Sequence, residues 1–176
     1  MNKKTLLYAF AGLFALVIGG LTARALHGPR SADAQALPRL WATSLPDSHG
    51  QEQALSQWQG EVLVLNFWAT WCPPCREEIP DFMALHTQYQ SRKVAFVGIA
   101  IDNAGAVAAF LRETNIPYPI LIGEGEAQAL AQTLGDASGA LPYTIVIDHA
   151  GRIVLSHLGR LPRARLEAIL EQNASQ

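Results

Sequence analysis

The chain has 176 residues, of which 49% are hydrophobic and 16% are charged, and its formal net charge is −2. This length and composition suit one packed domain with a short extension and exclude an intrinsically disordered chain. Without the first 36 residues, which hold four basic side chains and one acidic side chain, nine basic and fourteen acidic side chains remain, a net charge of −5. An acidic domain has no general attraction for DNA or RNA, so we expect no nucleic-acid binding.

The N-terminal segment, residues 1–26, is predicted to be a transmembrane anchor. Two lysines precede an uncharged stretch, residues 5–23, whose length is near the roughly 20 residues that a spanning helix needs. The lysines favour a cytoplasmic N-terminus, so we expect a single-pass protein of the inner membrane with its domain on the periplasmic side. A cleaved signal peptide is the alternative, because residues 23–25 and 32–34 both fit a cleavage site.

The next segments predict a linker and the start of a folded domain. Residues 27–37 lack hydrophobic periodicity and hold small and turn-forming residues, which favours a linker before a domain that covers residues 38–176. Residues 41–55 predict an N-terminal hairpin with a Ser-His-Gly turn at its centre. Residues 62–68 form a nearly continuous apolar run, as expected for a central strand that is covered on both faces.

The rest of the chain alternates between strand-like apolar runs and amphipathic helical segments. Further strands are predicted over residues 94–101, 119–122, 144–148 and 152–158, and helices directly after the cysteines and over 104–114, 126–134 and 162–172. Pro80 lies inside the first of these helices, where we expect it to cause a kink. The order of elements predicts an α/β fold with a mixed central sheet and helices on both faces.

Both cysteines lie in one tetrapeptide, Cys72-Pro73-Pro74-Cys75. A disulfide-stapled scaffold would scatter its cysteines, and structural zinc usually needs a second ligand pair, so we expect neither. A C-x-x-C pair directly after a buried strand, at a helix start marked by prolines, instead predicts a redox-active disulfide that needs no other cofactor or metal. The helix N-terminus lowers the pKa of the Cys72 thiol, which makes Cys72 the expected nucleophile and Cys75 the resolving thiol.

The segment around the cysteines, residues 67–80 (FWATWCPPCREEIP), closely resembles the active-site segment of thioredoxin-like proteins. It is most similar to the membrane-anchored TlpA/ResA branch, and the resemblance covers residues 38–176. It implies a thioredoxin-like fold with an N-terminal hairpin extension and a central strand–helix insert at residues 104–134. Pro80, five residues after the second cysteine, matches the proline that kinks the active-site helix in this family.

The resemblance also implies roles for residues outside the cysteine pair. Leu141 and Pro142 match the segment that carries the family's cis-proline, beside the cysteines and in contact with substrates, and X-Pro is the bond at which the cis form costs least. Asn66 stands where thioredoxin itself has a buried aspartate. Glu78 matches a glutamate near the thiols of the anchored branch, which implies proton transfer or pKa tuning. The alternative for Glu78 is a solvated first-turn carboxylate, which is our interpretation of Glu77.

By this resemblance the protein is expected to be a thiol-disulfide oxidoreductase that reduces exported client proteins, for example in cytochrome c maturation. A membrane thiol donor of the DsbD/CcdA type would supply electrons, and the protein would act as a monomer. Trp71, directly before the pair, is expected to shield the disulfide and to contact clients. The alternatives are a periplasmic thiol oxidase, a peroxidase and a non-catalytic copper-binding or copper-delivery protein. The peroxidase T-x-x-C pattern is one residue short here, and no histidine has an obvious ligand spacing from the pair.

Overall fold

The computed structural model describes residues 31–174, and the side chains of residues 36–174. The predicted anchor or signal peptide, residues 1–26, lies outside this part of the chain. Within residues 31–174, no helix combines the length and the hydrophobicity that crossing a membrane requires.

The strands, in chain order, are β1 (Ser44–Pro46), β2 (Glu52–Ala54), β3 (Val62–Trp68), β4 (Val94–Ala100), β5 (Ile120–Ile122), β6 (Tyr143–Ile147) and β7 (Ile153–Leu158). The helices are α1 (Ser31–Ala42), α2 (Pro73–Tyr89), α3 (Ala104–Thr114), α4 (Gly125–Thr133) and α5 (Arg163–Asn173), and a short 3-10 helix covers Leu55–Trp58. From β3 onward, each element that was predicted with both bounds agrees with the structure to within one residue at either end.

Five strands form a mixed sheet in the order β5-β4-β3-β6-β7. Strands β3, β4 and β5 are parallel, whereas β6 runs antiparallel to β3 and β7 runs antiparallel to β6. All seven residues of β3 are buried, because helices cover the sheet on both faces. The predicted thioredoxin-like architecture is therefore confirmed.

The sheet separates two hydrophobic cores. One contains Ile79 of α2 and Leu166 of α5, together with both cysteines. The other contains Leu40 of α1 and Leu130 of α4, together with residues of the N-terminal hairpin. The helix that follows the cysteines is thus anchored in one core, while the N-terminal extension completes the other.

The predicted linker, residues 27–37, is wrong from Ser31 onward, because these residues belong to α1. Pro38 lies inside this helix and concealed it, since proline normally ends a helical pattern. Ala36 and Leu40, four residues apart and so on one helix face, are both buried in the core that contains the N-terminal hairpin. Tertiary burial therefore outweighs local propensity here, and the folded domain includes residues before 38.

The predicted N-terminal hairpin is confirmed, with β1 and β2 pairing antiparallel. Its turn is held by Asp47, whose Oδ1 accepts hydrogen bonds from the backbone N–H groups of His49 at 2.8 Å and Gln51 at 3.0 Å. Asp47 also forms an isolated bridge with Leu121 of β5. The hairpin therefore lies against the β5 edge of the main sheet.

Candidate active site

Cys72 and Cys75 form a disulfide at the N-terminus of α2. Cys72 is the residue before the helix, and its sulfur accepts a hydrogen bond from the Cys75 N–H at 3.3 Å. Pro73 and Pro74 fit the first helical positions because an N–H there would have no helical partner. Cys72 retains 3% of its surface and Cys75 retains none, so Cys72 is the more exposed of the two cysteines.

The bond between Leu141 and Pro142 is cis, the isomer that the sequence resemblance implies. The Pro142 carbonyl accepts a hydrogen bond from the Gly159 N–H at 2.8 Å, which connects the turn before β6 to the end of β7. Leu141 packs against the core that contains both cysteines. Leu141 also packs against the other core, so this turn contacts the cores on both faces of the sheet.

Glu78 is a fully buried carboxylate one helical turn after Cys75. Its Oε1 accepts a hydrogen bond from Nδ2 of Asn66 at 2.8 Å, and its Oε2 accepts one from the Leu161 N–H at 3.0 Å. Burial raises the pKa of Glu78 to about 7, although these two hydrogen bonds act in the opposite direction. The carboxyl group therefore changes its protonation state near neutral pH.

Asn66, on β3, is suited to both protonation states of Glu78. Its Nδ2 also donates to Oγ1 of Thr144 on β6 at 2.9 Å, so both amide hydrogens face oxygen atoms. Rotating the amide by 180° would direct its oxygen toward a protonated Glu78 and toward the Thr144 hydroxyl, both of which can donate. An aspartate at this position could only accept while ionised, and would put a second negative charge beside Glu78.

Glu77, adjacent in sequence, has a different environment. Its side chain is 61% exposed and its carboxylate lies 3.5 Å from the guanidinium of Arg160. The same guanidinium lies 4.0 Å from the carboxylate of Asp81. Glu77 is thus the solvated carboxylate that we expected, and Glu78 is not.

The two tryptophans beside the site are also placed differently. Trp71, directly before Cys72, is 67% exposed, and its shielding of the disulfide and its contact with clients stay predictions. Trp68, at the end of β3, is 1% exposed, and its ring lies 5.2 Å from that of Phe110 in α3. Pro80 lies within α2, so the proline is where the family pattern places it, and the kink remains a prediction.

Asp102 is a site residue that sequence reasoning missed. Its Oδ2 accepts hydrogen bonds from the Thr70 N–H at 3.0 Å and the Thr70 hydroxyl at 2.6 Å, while its Oδ1 accepts one from the Asn103 N–H at 2.8 Å. It therefore ties the loop before Cys72 to the start of α3. The available signal was its position two residues after the end of β4, because parallel neighbouring strands end at the same edge of a sheet.

Potential metal ligands are dispersed in the part of the chain that the structure describes. Among residues 36–174, no group of three or more His, Cys, Asp or Glu side chains could hold a metal ion. His86, in the helix that follows the cysteines, lies against the rings of Phe96 and Tyr118.

Comparisons with known proteins agree with this geometry. The model of the Redoxin family matches residues 32–170. The chain is 28% identical to the thiol-disulfide oxidoreductase ResA of Bacillus anthracis over 98% of both chains, and 32% identical to ResA of Halalkalibacterium halodurans over 72% of this chain and 70% of that protein. A crystal structure of a thiol:disulfide interchange protein of the thioredoxin family from Chlorobium tepidum is 28% identical, with a TM-score of 0.68 over 76% of this chain and 93% of that chain.

Proposed function

The chain belongs to the Redoxin family and is a TlpA/ResA-like thiol-disulfide oxidoreductase, and from this premise we propose that it reduces disulfide bonds of exported client proteins. The observation that carries the proposal is the buried Glu78 carboxylate, one helical turn from the Cys72–Cys75 disulfide. A carboxyl group at that position affects both the proton transfers of exchange and the electron affinity of the pair.

The proposed reaction starts from the reduced pair. The Cys72 thiolate attacks one sulfur of a client disulfide, so that a Cys72–client bond forms while the client's own bond breaks and its other sulfur leaves as a thiolate. Cys75 then loses its proton and attacks the Cys72 sulfur. This step forms the Cys72–Cys75 disulfide and releases the second client thiol, so two electrons pass from the protein to the client.

In the second step, the proton of Cys75 needs an acceptor away from bulk water, because Cys75 is fully buried. We assign this role to Glu78, whose pKa of about 7 lets a substantial fraction accept a proton at neutral pH. Asn66 can orient the carboxyl group in either protonation state, because its amide can present N–H donors or, after rotation, its oxygen. Glu78 would release the proton again before the next cycle.

The proposed direction, reduction, follows from the factors that stabilise a thiolate. A strong oxidant has a strongly stabilised thiolate in its reduced form, often helped by a histidine between the cysteines, and here that position holds proline. A buried carboxylate beside the pair opposes thiolate formation by charge repulsion. Both features favour a reducing pair, nearer to thioredoxin at roughly −270 mV than to the oxidant DsbA at roughly −120 mV.

Equilibration of the protein with glutathione buffers tests this direction, with alkylated thiols counted by mass spectrometry. We expect a reduction potential closer to the thioredoxin value than to the DsbA value. A potential above about −160 mV would mean that the protein oxidises its clients, and would overturn the proposal.

The location, the donor and the pathway are parts of the same proposal. The two lysines and the apolar residues 5–23 support a membrane anchor with a periplasmic domain, and the TlpA/ResA likeness supports a DsbD/CcdA-type donor and a role in cytochrome c maturation. Retention in the membrane after alkaline carbonate washing would support the anchor. A mature N-terminus near residue 26 or 35 would show a cleaved signal instead.

A further inference from the structure

A cleft of about 410 Å³ opens beside the disulfide, between α2 and the helix α3 of the insert. Its apolar lining includes Pro73, which directly follows Cys72, and Phe110 of α3. Two charged side chains, Arg76 and Glu77, also line it. A polypeptide whose disulfide reaches Cys72 would therefore place its neighbouring side chains at this cleft, which we call the Arg76 cleft.

The Arg76 guanidinium is held in place by an aromatic support. Its central carbon lies 5.6 Å from the centre of the Phe110 ring, within the range of a cation–π interaction. The Phe110 ring is in turn fixed, because it packs 5.2 Å from the ring of the buried Trp68. This stacking orients the positive group before any partner arrives, which lowers the entropy cost of binding.

The positive charge of Arg76 is not neutralised by the protein. Among residues 36–174, none of the ion pairs includes Arg76. The carboxylate that shares the cleft, Glu77, is engaged by Arg160 at 3.5 Å. The cleft therefore offers an apolar surface with an oriented guanidinium that has no carboxylate partner.

We propose that the Arg76 cleft docks client segments that carry an aspartate or glutamate close to the reacting cysteine. A guanidinium binds a carboxylate through two parallel hydrogen bonds, which gives orientation as well as attraction. The apolar lining receives the adjoining part of the client chain. This inference rests on the proposed thiol–disulfide exchange and names the class of client that it favours. The net charge of −5 outside the first 36 residues gives acidic clients no long-range attraction, so the selection is local to Arg76.

The test uses disulfide-containing peptides that differ at one residue, two positions before or after a cysteine. Glutamate, glutamine and lysine versions are compared by the second-order rate constant for reduction by the full-length protein. With the varied residue on at least one side of the cysteine, we expect the glutamate peptide to react about two- to five-fold faster than the glutamine peptide. The lysine peptide should react more slowly than the glutamine peptide. The glutamate-to-glutamine ratio should decline as salt is raised, because the pair is exposed.

Variants of Arg76 separate docking from an effect on the thiols. Arg76→Gln should bring the glutamate-to-glutamine ratio to about 1, and Arg76→Glu should invert the preference toward the lysine peptide. Arg112→Gln is the matched control, because Arg112 is an exposed arginine of α3 outside the cleft, and it should keep the wild-type ratio.

Several results would overturn the inference. Equal rates for the three wild-type reactions would do so, and so would an unchanged ratio in Arg76→Gln. A uniform change for all peptides in Arg76→Gln would mean that Arg76 acts on the Cys72 thiol rather than on the client. The glutamine peptide tests the exchange reaction by itself, so failure of all three peptides to react would overturn the proposed function and this inference with it.

Discussion

The first turns of α2 have one side that faces solvent and one side that faces the core, and the two glutamates that are adjacent in the sequence lie on different sides. On the outward side, Glu77 is 61% exposed and pairs with Arg160. On the inward side, Glu78 is completely buried and accepts hydrogen bonds from Asn66 and Leu161. Consecutive helical residues point about 100° apart, so one carboxylate is a surface charge and the next is a group that titrates near neutrality.

The two sides also differ in how firmly they are fixed. The inward network joins α2 to β3 through Asn66, to β6 through Thr144 and to the loop before α5 through the Leu161 N–H. The outward side chains are held by solvent-exposed contacts, such as the 3.5 Å ion pair of Glu77. We therefore assign client contact to the outward side and proton handling to the inward side.

The largest expected effect concerns the two cysteines at the N-terminus of α2. Cys72→Ser should abolish exchange with a client disulfide, because the attacking sulfur is lost. Cys75→Ser should accumulate mixed disulfides with clients, because the resolving sulfur is lost. Non-reducing electrophoresis of each reduced variant with a disulfide-bonded client shows both outcomes. Faster alkylation of Cys75 than of Cys72 in the reduced wild type would contradict the assignment.

The two tryptophans test the difference between the core and the solvent-exposed side through the free energy of unfolding. Trp68→Ala should lower the free energy of unfolding by about 3–5 kcal/mol, because it leaves a cavity in the core. Trp71→Ala should change it by no more than about 0.5 kcal/mol, because the ring is 67% exposed. Urea unfolding of the oxidised proteins measures both values. Similar losses for the two variants would show that Trp71 also belongs to the core.

Glu78 should make stability depend on pH. Its pKa of about 7 in the folded state exceeds the ordinary 4.5, so the folded state binds more protons than the unfolded state between these values. The contribution of Glu78 to the free energy of unfolding should therefore be fully present below pH 4.5, and it should fall by about 3 kcal/mol as pH rises through 7. Urea unfolding at a series of pH values measures the slope of the free energy of unfolding against pH.

Two variants isolate this contribution from that of other titrating groups. Glu78→Gln should remove the part of the pH dependence that Glu78 contributes, whereas Glu77→Gln should keep the wild-type dependence, since Glu77 is exposed. A slope between pH 4.5 and 7 that is the same in the wild type and in Glu78→Gln would show that Glu78 does not carry the linkage.

The sequence predicted well those features that depend on residues close to one another in the chain. The apolar run of β3, the helical periodicity of α3 and the C-x-x-C pair each depend on neighbours within one element. The features that were missed depend on topology. Asp102 meets Thr70 because β3 and β4 are parallel neighbours, and α1 extends to Ser31 because its apolar residues are buried in a core formed by distant elements.

The partners of Glu78 belong to the second group. The sequence shows that Glu78 lies three residues after Cys75, but the contacts of Glu78 with Asn66 and Leu161 span 12 and 83 residues. The identity of a donor at such a distance is set by strand register and loop geometry. For this reason the sequence could identify the carboxylate, while its hydrogen bonds to Asn66 and Leu161 required the structure.

The most direct test of the account is the pH dependence of Cys72 alkylation in the reduced protein. We predict that Glu78→Gln shifts the thiolate titration to lower pH, because a buried negative charge beside the pair is removed, and that Glu77→Gln leaves the curve nearly unchanged. Superimposable curves for the wild type and Glu78→Gln, or equal shifts for the two variants, would contradict the assignment of proton handling to the inward side of α2.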